Sequence, residues 1–337
     1  MRCSSRAFGR CRNSTCGRSS SLGRDRTMPP RRTTKRRHFP VLLHPRHWPS
    51  WAGIAVMRVI SLLPLPVLWA GGVVVGELLY YLIRSRRQVV AINIGICFPQ
   101  LSQREQQRLV RKHFHAFGQT VLDTGIAWWG RPARLRRLVR ITGREHVDPV
   151  LAQGRNLILL IPHFVALEIC GMRISLEGQG CAMFRHVKDP VLDGVMQKAR
   201  TRFGLKLVPH NAPMTALVRQ LRDGAPLFYL PDQDPHRRSR EFVPFFGIKT
   251  ATFTSLSRLA AMTNAVVAPL ICRQLPRGAG YEVIVKPPLK DFPTADPVED
   301  AAHMNREIEK EVRQTPAQYF WMHKRFKTRP PGEPKIY

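Results

Sequence analysis

From about residue 150 onward, short aliphatic runs alternate with longer amphipathic stretches, and this alternation constrains the fold more than any other feature. The runs span 157–161, 181–184, 205–208, 227–230, 266–271 and 282–285. Between several of them lie segments of helical spacing, among them 191–203, 214–223 and 253–263. Strands separated by helices pair through crossovers, so the pattern predicts an α/β fold: a mixed, largely parallel sheet with helices on both faces. Residues 85–145 read instead as helices. Phe98-Pro99 ends one segment, and Ser102-Gln103-Arg104-Glu105 forms a capping box for a helix running to about Trp129. Gly130-Arg131-Pro132 breaks that helix.

Open α/β sheets bind ligands at the carboxyl ends of their strands. His163-Phe164-Val165-Ala166-Leu167-Glu168 follows one such end directly. An imidazole that takes a proton from an alcohol needs a carboxylate to fix its tautomer and stabilise the imidazolium. On one ideal helix, residues five apart point about 140° away from each other. His163 and Glu168 therefore meet only if the histidine sits on the turn after a strand and the glutamate in the first turn of the next helix. The same spacing also suits a buried, hydrogen-bonded core histidine.

Two further strand ends carry chemistry. Pro231-Asp232-Gln233-Asp234 follows the run 227–230 and suits either polar ligand binding or a plain Asx-type turn. Arg185 follows the run 181–184, where it can grip phosphate or carboxylate, or stay a solvated loop charge. Phe242-Val243-Pro244-Phe245-Phe246-Gly247 reads as an aromatic loop, lining an acyl slot or packing in the core. Thr250 to Ser255 is expected to open a helix with hydroxyl residues, a candidate anion site. His323-Lys324-Arg325-Phe326-Lys327-Thr328-Arg329 gathers four cations beside Trp321, fit for a head group or for solvent.

Net charge is +31, of which residues 1–40 carry +11 and the remainder +20. The basic surface favours anionic partners: anionic lipid, phosphorylated substrates, an acidic carrier protein or nucleic acid. Nucleic acid is disfavoured, because no recognisable module is present and aromatics are not interleaved with the basic runs. Residues 1–40 are rich in Arg, Ser and Pro without apolar periodicity, and are expected to be a disordered leader, with Met28 a plausible start. Residues 41–84 form an expected membrane-anchoring helical segment. Val59 to Gly76 holds 18 uncharged residues, interrupted by Pro64 and Pro66. Basic residues flank both sides, which suits a helix lying in the cytoplasmic leaflet better than a single span. Residues 85–337 form the expected catalytic domain. Cys97, Cys170, Cys181 and Cys272 are isolated among apolar residues, expected as buried free thiols, and no Cys/His metal spacing occurs.

Taken in order, these motifs resemble one family, the lipid A biosynthesis acyltransferases, the late lauroyl/myristoyl transferases of Gram-negative bacteria. The resemblance covers about residues 43–337. It begins at Leu43-His44-Pro45-Arg46-His47-Trp48 and continues through Cys97-Phe98-Pro99 and Thr124-Gly125-Ile126-Ala127-Trp128-Trp129. His163…Glu168, the acidic turn at 231–234, the aromatic stretch 242–247 and the closing Gln318-to-Pro330 segment complete it. It implies an inner-membrane enzyme facing the cytoplasm, which moves an acyl group from acyl carrier protein to a 3-hydroxyacyl chain of a Kdo-bearing lipid A precursor. By this resemblance His163 is the general base and Glu168 its orienting partner. Arg185, Asp232, Asp234, Lys324 and Arg325 are expected in substrate binding. Two departures touch the acceptor contacts: Arg185 is followed by His186-Val187 where the family often has proline and asparagine, and Lys324 stands where His-Arg-Arg is common.

A thioester donor is already activated, so the chemistry implies no metal or cofactor. Direct transfer is expected, because no Ser or Cys sits in a nucleophile elbow. Backbone N–H groups near Glu168 are the expected oxyanion donors. Other readings are a glycerolipid or phosphoinositide-mannoside acyltransferase with the same His-x4-acid chemistry, and a basic membrane-associated nucleic-acid-binding protein.

Overall fold

The computed structural model describes residues 44–235 and 240–337; the leader at 1–40, with Met28, lies outside the described residues. The helical N-terminal part comprises α1 (Trp48–Ile60), α2 (Leu65–Leu82), α3 (Arg84–Cys97), α4 (Gln103–Trp129) and α5 (Pro132–Leu138). The α/β part carries β1 (Val139–Thr142), α6 (Asp148–Ala152), β2 (Leu157–Leu160), α7 (Leu167–Ile174), β3 (Gly180–Phe184) and α8 (Pro190–Thr201). It continues with β4 (Leu205–Pro209), α9 (Met214–Arg222), β5 (Leu227–Tyr229), β6 (Arg240–Phe245) and β7 (Ile248–Phe253). It closes with α10 (Ser255–Thr263), β8 (Val266–Gln274), β9 (Tyr281–Val285) and α11 (Pro297–Gln314).

Seven strands form one sheet in the order β1-β9-β8-β2-β5-β3-β4. All neighbours are parallel except β8 and β9. The expected mixed, largely parallel sheet flanked by helices is therefore the observed one. Every residue of β2 is buried, as a central parallel strand covered on both faces requires. α4 opens on the expected capping box: Ser102 accepts from the Glu105 N–H, and the Glu105 carboxylate accepts from the Ser102 N–H at 2.8 Å.

Two expectations are corrected. Residues 139–142, read as helical, form edge strand β1, whose register follows β9. The stretch 242–247 is not a loop. It forms β6 and the tip of a hairpin with β7, closed by Phe246 and Gly247, both at positive φ. A two-residue turn with two positive φ values matches the right-handed strand twist, and it normally carries Asn-Gly. Phenylalanine in the first position hid the turn from a sequence reading. β7 also absorbs Thr250 and Thr252, both buried, so of the hydroxyl run only Thr254, at the N-cap, and Ser255 open α10.

α2 runs antiparallel along α4 at backbone contact. A Cβ on Gly118 would fall 2.2 Å from the Gly72 carbonyl oxygen, and one on Gly76 would fall 2.4 Å from that of Phe114. Gly72, Gly76 and Gly118 thus remove the side chains that would hold the helices apart. Glu77 on α2 binds His115 of α4 at 2.8 Å and pairs with Arg111. On the free side, α1, α2 and their connection expose Val56, Val59, Leu62, Val67, Val74, Leu78 and Leu82. By length and composition α2 is apolar enough to cross a membrane.

Candidate active site

β2 and β5 are hydrogen-bonded neighbours, so the turns after them lie side by side. One turn carries His163 and the other Asp232. The Asp232 carboxylate accepts from His163 twice, from the ring Nδ1 at 2.6 Å and from the backbone N–H at 2.8 Å. Its side chain is 1% exposed and that of the histidine 24%. Burial alone would raise the Asp232 carboxyl; the charge and hydrogen bonds of His163 outweigh this and hold it below the ordinary carboxylate range. An ionised Asp232 fixes the tautomer with hydrogen on Nδ1, which leaves Nε2 as the basic nitrogen.

This corrects the expected partner. Glu168 lies in the first turn of α7, as its spacing demands, but its carboxylate is turned to other groups. Oε1 accepts from Trp128 Nε1 at 2.9 Å and from Arg200 Nε at 3.0 Å, and Oε2 accepts from an Arg200 terminal nitrogen at 2.6 Å. The Arg200–Glu168 pair is the two-pronged fork that guanidinium and carboxylate favour. Burial would lower the Arg200 pKa, and the Glu168 contact more than restores it. Arg200, on α8, carries no local signal in the sequence; only packing of α8 against α4 and α7 reveals it.

Between the sheet and helices α7 and α8 lies a cavity of about 400 Å³. His163, Glu168, Arg185 and Arg200 are its polar lining, and Ile161, Met172, Met196, Leu207, Phe228 and Leu230 are among its apolar walls. Arg185 is exposed, where its strand-end position put it. A half-buried base at the head of a mostly apolar cavity suits a substrate that combines a hydroxyl or ester with a hydrocarbon chain.

The other expected binding residues do not line this cavity. Asp234 accepts from the Thr328 hydroxyl at 2.9 Å and the Thr328 N–H at 3.1 Å, tying the C-terminal segment down. Arg325 is 2% exposed and donates to the Ala251 carbonyl at 2.5 Å and Thr252 Oγ1 at 3.1 Å. It borders a small void behind His163, but its guanidinium is committed to β7. Lys324 is exposed over the Tyr337 ring, in a separate surface depression with Arg86. Asp232 was expected to touch substrate and instead holds the histidine. Near Glu168, the Val165 N–H is bound to Gln318 and the Leu167 N–H to Phe164, so those two expected oxyanion donors are occupied.

The C-terminal segment closes the rear of the site. The Phe320 N–H donates to the His163 carbonyl at 2.8 Å, and Tyr319 OH donates to the Asp232 carbonyl at 3.4 Å. The Asp234 N–H donates to His323 Nε2 at 2.9 Å; burial lowers the His323 pKa to about 4, keeping that ring neutral and able to accept. Cys97, Cys170, Cys181 and Cys272 are buried and unpaired in disulfides. Among the described residues no three His, Cys, Asp or Glu side chains gather as a metal site would require.

Residues 36–328 match the family model described as bacterial lipid A biosynthesis acyltransferase. The chain is 35% identical to the lipid A biosynthesis lauroyltransferase of Escherichia coli K12 over 297 residues, covering 88% of this chain and 97% of that one. It is 33% identical over 299 residues to the lipid A biosynthesis myristoyltransferase of the same organism, covering 87% and 91%. It is 30% identical to that organism's lipid A biosynthesis palmitoleoyltransferase over 296 residues, covering 88% and 96%. The chain belongs to the bacterial lipid A biosynthesis acyltransferases.

Proposed function

We propose that this protein transfers a laurate- or myristate-like acyl group from acyl-acyl carrier protein to a 3-hydroxyacyl chain of the Kdo-bearing lipid A precursor. The observation that carries the reading is the Asp232–His163 pair at the head of a largely apolar cavity. His163 Nε2 takes the proton of the acceptor hydroxyl as its oxygen attacks the thioester carbonyl carbon. The tetrahedral intermediate collapses with loss of the C–S bond, and the leaving thiolate takes the proton from the imidazolium. Asp232 stabilises that imidazolium without itself becoming protonated. Arg200, held by Glu168, presents fixed positive charge to the cavity where the oxyanion develops. Arg185 at the mouth meets a phosphate of donor or acceptor.

The site works at the cytoplasmic side of the inner membrane. α1 and α2 lie in the leaflet with their exposed apolar residues toward lipid, and the chain from 85 onward forms the catalytic domain. Supporting this is the packing of α2 along α4, a helix whose first half carries Arg104, Arg108, Arg111 and Lys112. A helix bound along its length to so charged a neighbour cannot cross the hydrocarbon without drawing those charges in. Ser50 of α1 donates to Asp189, the N-cap of α8, at 2.5 Å, which joins the lipid-facing helices to the helix bearing Arg200.

The test is transfer from labelled acyl carrier protein to the Kdo-bearing precursor by the native protein and by His163→Ala. Loss of transfer in a folded variant supports the base and the acceptor together. Transfer by the native protein to lysophosphatidic acid instead would keep the chemistry and move the enzyme to glycerolipid synthesis.

A further inference from the structure

A second cavity, of about 110 Å³, lies on the same face of the sheet, toward the amino ends of its strands. Leu157, Leu159, Leu270 and Val283 line it, and two residues, Ile174 and Phe228, line both cavities. Phe228 pairs in register with Leu159 on β2 and Ala182 on β3, so all three project from one face. Its ring rests against Gly180, where a Cβ would stand 3.1 Å from the ring Cζ. A side chain at 180 would crowd the ring out of this place. Phe228 and Ile174 are thus the wall between the site cavity and a second cavity, apolar along the sheet and open to the surface beside Arg144, Asp148, Glu177 and Gln179.

We propose that Phe228 and Ile174 form the floor of the acyl slot and set the length of the chain this enzyme transfers; this rests on the acyltransferase reading above. Phe228 stands level with Leu159, four residues before His163, which places the floor about 13 Å from the histidine at about 3.3 Å per strand residue. A zigzag of C–C bonds about 1.5 Å long advances about 1.25 Å per carbon, so about ten to twelve carbons reach from the attacked carbonyl to the floor. The second cavity extends to the level of Leu157, about 7 Å further, room for about five more carbons. The floor selects by contact on one side and by exclusion on the other: a shorter chain leaves apolar surface unfilled, and a longer one must displace a packed aromatic ring.

The experiment is a chain-length profile with acyl carrier protein thioesters from about C8 to about C18, since one methylene in an apolar slot changes kcat/KM about tenfold or more. Native protein is expected to peak near the length the floor allows. Phe228→Ala, and the milder Phe228→Leu, join the cavities and are expected to move the peak longer by about four to six carbons. Ala182→Leu adds bulk beside Phe228 and is expected to move it shorter. A uniform loss at every length, or an unchanged profile in folded variants, would overturn the assignment of the floor while leaving the acyltransferase reading in place. Native protein that transfers no chain of any length would overturn both.

Discussion

Asp232 holds His163 with both carboxylate oxygens, one on the ring and one on the backbone N–H of the same residue. The double contact fixes the orientation of the ring and the position of the turn that carries it. Asp232→Asn replaces an acceptor with an amide that can turn its NH2 to Nδ1, which favours the tautomer with hydrogen on Nε2. The variant is expected to lose about 10³–10⁴-fold in kcat with its melting temperature little changed, read from acyl transfer beside a thermal melt. Equal rates for Asp232→Asn and native protein would remove Asp232 from the mechanism.

Arg200 and Arg325 are expected to separate cleanly. Arg200→Lys breaks the fork on Glu168 and is expected to lower kcat/KM about ten- to a hundredfold with modest loss of stability. Arg325→Lys leaves the Ala251 carbonyl or Thr252 hydroxyl short of a partner in a fully buried place. It is expected to destabilise by about 1–3 kcal/mol while the folded fraction keeps its rate. Denaturant melts and rates normalised to folded protein distinguish the two.

Buried titratable groups make stability depend on pH between about 4 and 7, in opposing directions. Burial lowers the pKa values of His113 and His323 to about 4, below the ordinary histidine value, so the unfolded chain binds protons that the native protein refuses. Their contribution is present above about pH 6.5 and is lost as pH falls toward 4. Asp123 behaves oppositely. Burial raises it to about 7 despite the Tyr281 hydroxyl bound to it, so the native protein holds a proton that the unfolded chain has released. That contribution is fully present below about pH 4 and is lost progressively as pH rises to about 7. Asp123→Asn is expected to steepen the rise of melting temperature with pH between about 4 and 7, where the histidine contribution then acts unopposed, and to leave the slope above about 7 unchanged.

Gly118→Ala places a methyl group in the backbone of α2. Overpacking of this kind costs about 1–3 kcal/mol, and more where backbone rather than a flexible side chain must yield. The variant is expected to melt earlier and to loosen α2, which faster hydrogen exchange over Leu65–Leu82 would show.

Leu62 sits in the exposed connection between α1 and α2. For helices lying in the cytoplasmic leaflet, a Leu62→Cys thiol in a chain otherwise lacking cysteine is expected to resist a membrane-impermeant maleimide added from the outer side of spheroplasts. Rapid labelling from that side would show that the segment crosses.

Much of the fold was legible because its signals are local. The Ser102–Glu105 box needs only its own residues to open α4, and an all-apolar stretch such as Leu157–Leu160 suits a strand buried on both faces. The hairpin was obscured because Phe246 takes the positive φ usually given to asparagine or glycine, a conformation imposed by packing. Its ring lies 5.2 Å from Phe98 and 6.2 Å from Trp321, contacts from distant parts of the chain.

By itself, the sequence determined the alternation that makes an α/β sheet, the helix start at Ser102, and the placing of His163, Arg185 and Asp232 at strand ends. Those are consequences of side-chain period and turn chemistry acting over a few residues. Which carboxylate serves the histidine was decided only by tertiary structure. Glu168 is five residues from His163 and Asp232 is sixty-nine, yet the sheet order sets β2 beside β5 and brings the distant acid to 2.6 Å. Strand order depends on how the helices pack across both faces of the sheet, and no local spacing encodes it. The same packing turned Glu168 toward Arg200 and buried Arg325 among the backbone of β7, where a basic run in the sequence had suggested a surface.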